Sequence, residues 1–238
     1  MIHLLWCTIR TQNFPNIFNY WIARSIYKNF KIHVLVSTDN EKIFLEKYFE
    51  SLNIQNRIVV FNPPYRGVCL PSYKLSSSLE AEKSDIVIFG SDDFTPPQNW
   101  DEYLINKLQN RTGALLVNDG YQALDFSNMA EPIFSIPVMT FDCLSRLNKI
   151  IYNPVYTHLC SDAELFLNLK ELNLIIDERS NDINYIFEHH HWSSGKRQAD
   201  QNDQSYYNNF EKDKKTWEMR KKLSLEERLK VLIYEKEN

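Results

Sequence analysis

Five glycines in 238 residues leave no glycine-rich cradle for a phosphate. No GxGxxG follows the first apolar segment and no GxxxxGK[ST] occurs, which disfavours dinucleotide oxidoreductases and P-loop nucleotidases. GxSxG is missing as well, against an α/β-hydrolase. Cysteine is scarce: Cys7, Cys69, Cys143 and Cys160 make no CxxC pair and read as reduced, mostly buried thiols of a reducing compartment. No apolar run reaches the ~18 residues of a membrane span. The apolar start lacks a basic leader and a cleavage site, so it reads as a first strand of a soluble, cytoplasmic protein. Positive charge has no excess: Lys+Arg 27 against Asp+Glu 31 gives −4, which argues against a nucleic-acid partner.

Apolar material is ample, with 43% hydrophobic residues, enough for the core of one large α/β domain. Ile2 to Thr8 is strand-like, and Phe14, Ile17, Phe18, Trp21, Ile22, Ile26 and Phe30 form a helical stripe over 14–30. Ile32 to Ser37 reads as a strand, 41–52 as a helix, Arg57 to Phe61 as a strand, and Pro71 to about Lys83 as a helix. Ile86 to Gly90 is a buried strand, Pro97 to Leu108 a helix, and Ala114 to Asn118 a strand. Beyond it come one or two short strands in 132–141, a helix over Ser161 to Leu172, and strands near Leu174 to Asp177 and Tyr185 to Glu188. Residues 193–209 read as a polar loop, and 210–238 as charged helix on the outside or projecting. The β-α alternation predicts an α/β fold with a mostly parallel sheet and helices on both faces. One domain over 1–209, with 210–238 as its C-terminal helical extension, is the expected organisation.

Chemistry concentrates where the buried strand Ile86 to Gly90 runs into Ser91, Asp92 and Asp93. Ligands of open α/β sheets bind at the carboxyl ends of strands. Adjacent carboxylates there repel unless shielded, and a divalent cation carrying phosphate oxygens shields them. In an extended chain Ser91 and Asp93 point to one side and Asp92 to the other, which would let Asp93 bind metal while Asp92 reaches a ribose or sugar hydroxyl. The competing reading is a polar turn before the next helix, since Asp-Asp followed by Pro96-Pro97 is good turn chemistry. A second cluster, Glu188-His189-His190-His191, follows a strand-like segment; His189 and His191 share a face if it is extended. Imidazole completes a Mn²⁺ site well, although a solvated strand end explains the run equally. Ser161-Asp162-Ala163-Glu164 opens the best helix of the second half, as either a helix cap with favourable first-turn acids or an acidic functional motif.

The apolar strand ending in Ser91-Asp92-Asp93, with Pro96-Pro97 and Trp100 beyond it, resembles the Asp-x-Asp-type motif of GT-A-fold glycosyltransferases, especially family-2-like members and small bacterial and phage enzymes. Ser91 stands where that motif has its first acid. Glu188-His189-His190-His191, Gly195-Lys196, Asp203 and Tyr206 can be laid on a second pattern of the same group, and the resemblance spans roughly residues 2–207. It implies a Mn²⁺ or Mg²⁺ ion on Asp93 and His191, with His189 second, and Lys196 over a diphosphate. It further implies that Thr8 and Arg10 line a base pocket, that Asp39 contacts base or ribose, and that Tyr73 and Lys74 face the donor; a surface salt bridge is the alternative for Arg10. Asp162, with Glu164 behind it, would be the catalytic base of an inverting enzyme, and Asn118-Asp119-Gly120 would touch the acceptor. The implied partners are a nucleotide-diphospho-sugar, UDP-sugar favoured, and a hydroxyl acceptor; a homodimer is compatible with the charged C-terminal helices. Rival readings are a sugar nucleotidyltransferase, a His/Asp metal hydrolase, and a non-catalytic nucleotide-sugar-binding protein on a degenerate transferase scaffold.

Overall fold

The computed structural model describes residues 1–8, 10–62, 67–120, 133–190, 196, 198 and 201–231, with the backbone alone over 201–208. A seven-stranded sheet organises them. Its strands are β1 (Ile2–Cys7), β2 (Phe30–Val36), β3 (Asn56–Val60), β4 (Ile86–Gly90), β6 (Ala114–Leu116), β7 (Val138–Thr140) and β8 (Ile175–Asp177), in spatial order β3-β2-β1-β4-β7-β6-β8. Every pairing is parallel except the two made by β7. A second, two-stranded sheet joins β5 (Phe94–Thr95) to β9 (Glu188–His189).

The central strands are apolar on both faces because helices cover both, as parallel sheets require. Ile2, Leu4 and Trp6 of β1 with Ile86 and Ile88 of β4 pack against α1 (Phe14–Ala23), α2 (Asp39–Leu52) and α4 (Trp100–Leu108). Leu5, Val87 and Phe89 face the opposite layer of α3 (Cys69–Ser77), α5 (Phe141–Arg146) and α6 (Ser161–Glu171). Outside α6 lie α7 (Gln201–Arg220) and the short α8 (Leu225–Arg228). All four cysteines are free thiols. Among the described residues, no helix is long and apolar enough to cross a membrane.

Several boundaries differ from the sequence reading, each for a local reason. The helix expected over 14–30 stops at Ala23, because the buried Asp101 carboxylate accepts Ser25 Oγ (2.5 Å) and the backbone N–H groups of Ile26 (2.9 Å) and Tyr27 (2.7 Å). Those bonds turn the chain so that Phe30 can open β2. The helix expected from Pro71 runs instead over Cys69–Ser77, and the one expected from Pro97 begins at Trp100, since Pro96 and Pro97 hold the chain extended. The polar stretch expected as loop becomes helix from Gln201, where no Gly or Pro interrupts it. The C-terminal part does not simply project: Asp213, Arg220 and Arg228 are buried against the domain.

At the sheet's opposite edge His33 Nε2 lies 3.1 Å from His3 Nδ1, and His3 Nε2 lies 3.2 Å from Asp85 Oδ2. Burial, aided by the charges of His3, Lys31 and Arg57, pushes the His33 imidazole down to about 3, and burial lowers His3 as well. His33 therefore stays neutral in the fold well below pH 6.5, while the unfolded chain protonates near 6.5. This contribution is whole above about pH 6.5 and is lost as pH falls from there toward 3, because the unfolded state takes up protons that the fold refuses. Urea unfolding at intervals from pH 7.5 to 4.5 should show a falling midpoint, with a shallower fall in His33→Gln.

Candidate functional site

The carboxyl ends of β1, β4 and β6 form one edge, and the candidate residues gather there. Parallel pairing sets Trp6 directly beside Gly90. A Cβ at Gly90 would sit inside the Trp6 indole, so glycine is what allows the ring to lie across the end of β4. From there Trp6 Nε1 donates to Asp92 Oδ1 (2.8 Å), and Thr8 Oγ1 donates to Asp92 Oδ2 (2.9 Å). The indole is fixed in turn by edge-on contacts to Phe14 (5.4 Å) and Trp21 (5.6 Å). Burial raises the Asp92 carboxyl above the usual range despite these two donors and the nearby Arg10 charge, with Asp93 adding repulsion.

Asp93 turns the other way. Its Oδ1 accepts from Ser91 Oγ (2.5 Å), and its Oδ2 lies 3.3 Å from His189 Nε2. The β5–β9 ladder makes this contact by pairing Phe94 with His189 and Thr95 with Glu188. The His189 ring stacks on Phe94 with centroids 4.1 Å apart, and the backbone N–H of His190 donates to Asp93 O (2.7 Å). His190 Nε2 meets Thr95 Oγ1 at 3.0 Å. On its other side the same segment bonds to the end of β6, where Phe187 N donates to Asn118 O (2.8 Å) and His189 N to Asp119 O (3.1 Å). Asp119 is itself buried and accepts from Ser135 Oγ (2.6 Å). Lys196 Nζ pairs with Glu188 Oε1 (3.3 Å) close to Gly120.

Asp162, second residue of α6, is half-buried, and burial raises its carboxyl pKa; one oxygen accepts from Ala163 N (2.9 Å). Burial raises the hydroxyl of the nearly enclosed Tyr152, and the charges of Asp162 and Asp93 add to the rise. Sequence patterns gave no sign of Tyr152, which belongs to an irregular segment between α5 and α6.

Asp92, Asp93, Ser91, His189 and Thr8 thus converge, but not all in the expected roles, while Asp162 stands at the start of α6. Asp92, expected to reach a sugar hydroxyl, has both oxygens engaged by Trp6 and Thr8. Thr8, expected in a base pocket, is buried and spends its hydroxyl on Asp92. Glu164 does not fit the base role: it is buried, with Arg220 on both oxygens (2.7 and 2.9 Å) and the Tyr156 hydroxyl on Oε2 (2.8 Å). Asp39 is exposed in the first turn of α2, and Lys74 sets its ammonium 5.9 Å from the Phe61 ring centre; Tyr73 is half-buried beside it on α3. His191 lies outside the described residues, as do the side chains of Asp203 and Tyr206. Among the described residues no three His, Cys, Asp or Glu side chains form a metal-binding group.

Neither a protein-family model nor a curated protein matches the sequence. Solved structures do match. S. aureus TarS 1-349 in complex with UDP is similar over 74% of this chain and 57% of its own length, at 14% identity and TM-score 0.54. The same protein in complex with UDP-GlcNAc is similar over 74% and 55%, at 16% identity and TM-score 0.52. The chain therefore spans little more than half the length of these structures. Such a likeness shows the fold, and that fold is the GT-A type of these glycosyltransferases.

Substitution separates the two acids. Asp92→Ala strands the buried Trp6 N–H and should cost about 1–3 kcal/mol, read as a lower thermal midpoint. Asp93→Ala, which removes a carboxylate that meets the side chains of Ser91 and His189, should lower the midpoint by less in the same measurement.

Proposed function

We propose that the chain is a glycosyltransferase that moves a sugar from a nucleotide-diphospho-sugar, UDP-sugar favoured, to an acceptor hydroxyl. The observation that carries this reading is the Asp93–His189 pair at the carboxyl end of the central strand β4, in a fold shared with TarS, which has been solved with UDP and with UDP-GlcNAc. One carboxylate and one imidazole are donors that suit Mn²⁺ or Mg²⁺ when phosphate oxygens fill the remaining positions. Asp93 and His189 are the residues that would hold such an ion, and His191 is the further candidate ligand by sequence. When bound, the ion neutralises charge on the departing diphosphate. Lys196, now paired with Glu188, is the cation best placed to exchange that partner for a phosphate.

Asp162 is the proposed base of an inverting displacement. Its raised pKa makes it a stronger proton acceptor than a solvated aspartate, and it takes the acceptor hydroxyl's proton as the oxygen attacks the anomeric carbon. Tyr152, feeling both Asp93 and Asp162, lies where donor and acceptor sides would meet. A second reading is a non-catalytic nucleotide-sugar binder. Two features favour it: Ser91 replaces one acid of the motif, and Asp92 is already engaged by Trp6 and Thr8.

The test is a thermal-shift and turnover screen of UDP-, GDP-, CDP- and dTDP-sugars with and without Mn²⁺. A UDP-sugar should stabilise the protein in the presence of Mn²⁺ and be slowly hydrolysed, with both effects lost in Asp93→Ala and weakened in His189→Ala. No response to any donor refutes the donor site, and stabilisation without turnover of donor or acceptor selects the binder.

A base must be deprotonated, so activity should be present above the folded pKa of Asp162 and fall as pH drops through it. The acid limb of kcat should then lie above the 3.8 of an ordinary aspartate. Asp162→Asn should keep donor binding and lose about 10²–10⁴-fold in kcat. Because a buried carboxylate with a raised pKa costs stability at neutral pH, the same variant should unfold no earlier than the parent.

A further inference from the structure

The turn that carries Asp162 is gripped from outside by α7. Asp213, fully buried, accepts three consecutive backbone N–H groups, those of Thr157 (2.9 Å), His158 (2.8 Å) and Leu159 (2.8 Å). Seven residues on, two turns along the same helix face, Arg220 donates from Nε (2.7 Å) and Nη2 (2.9 Å) to the two oxygens of Glu164. Lys212 Nζ adds a contact of 3.4 Å to Thr157 Oγ1. On the side away from α7, Thr157 O accepts the backbone N–H of Val68 (3.0 Å). Between the two anchors Cys160 sits at φ +62°, a left-handed backbone that a side-chain-bearing residue adopts only when its surroundings impose it. Asp162 follows two residues later.

Trp217 packs on that layer from α7, but among the described side chains of the helix the buried ones are the charged Asp213 and Arg220. Buried charges are a weak source of stability compared with apolar residues of the same size. Asp213 and Arg220 nevertheless aim their charges at one segment, 157–164, from its two ends. Charge-assisted bonds to backbone amides and a two-pronged guanidinium–carboxylate pair are the contacts that fix orientation best.

We propose that Asp213 and Arg220 are positioning residues, through which α7 holds the 157–164 turn so that the Asp162 carboxylate stays aimed at the acceptor hydroxyl. The role rests on the base function proposed for Asp162. Neither residue touches substrate in this scheme; both act through the turn. Loosening a reacting group by about 1 Å costs on the order of a hundredfold in rate, so the effect falls on turnover and spares donor affinity.

The experiment compares the full-length chain with Asp213→Asn, which at unchanged size removes the charge and replaces one of the two accepting oxygens by an NH₂ that cannot accept. Amide hydrogen exchange at 157–159, the carboxyl titration of Asp162 by ¹³C NMR (assigned with Asp162→Asn), and kcat with donor KM are read together. Faster exchange, an Asp162 titration moved down toward the ordinary aspartate range, and a kcat lower by roughly 10- to 100-fold at unchanged donor KM support the proposal. Arg220→Lys, which keeps the charge and loses the fork, should do the same more weakly and serves if Asp213→Asn does not fold. A folded variant with parental Asp162 titration and parental kcat overturns it. Should the parent turn over no donor, the transferase reading fails on that result alone. The Asp162 titration then decides the clamp by itself, moved in support or unmoved against.

Discussion

The indole of Trp6 lies flat across Gly90 and donates its N–H to Asp92. That contact ties the two innermost parallel strands together at the edge where the candidate residues gather. It takes up one oxygen of Asp92, with Thr8 on the other, and leaves Asp93, its neighbour in the chain, to Ser91 and His189. An acid engaged by Trp6 and Thr8 and an acid bonded to Ser91 and His189 are thus adjacent in sequence yet chemically separate. The aromatic edge contacts of Phe14 and Trp21 keep the indole from leaving. Trp21 in turn stacks edge-on with Trp100 at 5.1 Å, so the geometry of the strand end is held by the core between the sheet and α1 and α4.

Negative charge is concentrated in this region. The buried Tyr152 feels the charges of Asp93 and Asp162, and burial raises the carboxyls of Asp92 and Asp162. In such surroundings negative charges are poorly screened, and a cation is the cheapest relief. Glu164 shows the alternative outcome, a carboxylate whose charge is met by Arg220 from α7. Two acids on one helix, two residues apart, therefore diverge: Glu164 is neutralised into the framework by Arg220, and Asp162 accepts from the backbone N–H of Ala163. The framework acid and the buried Asp213 explain why a helix with so polar a sequence packs firmly on the domain.

Much of this was legible in the chain. The strand–helix alternation of the first half, the buried strand Ile86–Gly90, the acidic pair behind it and the helix at Ser161 all follow from hydrophobic period and cap chemistry, which act over a few residues. Helix ends were less legible, because what stops α1 is Asp101, 78 residues beyond Ala23 in the sequence. The helical character of 201–209 was missed because composition there is polar and the partners that hold α7 belong to residues 157–164. The three histidines are adjacent in the sequence, yet nothing local says which of them meets which acid.

Local sequence determined the elements and the type of chemistry, since side-chain periodicity and turn preferences are short-range properties of the chain. Tertiary structure alone decided the roles. The two-residue β5–β9 ladder carries His189 across 96 positions to Asp93. The register of β1 on β4 commits Asp92 to Trp6, and the approach of α7 divides Glu164 from Asp162. Each of these is a contact between segments far apart in sequence, and such contacts are fixed by how whole layers pack.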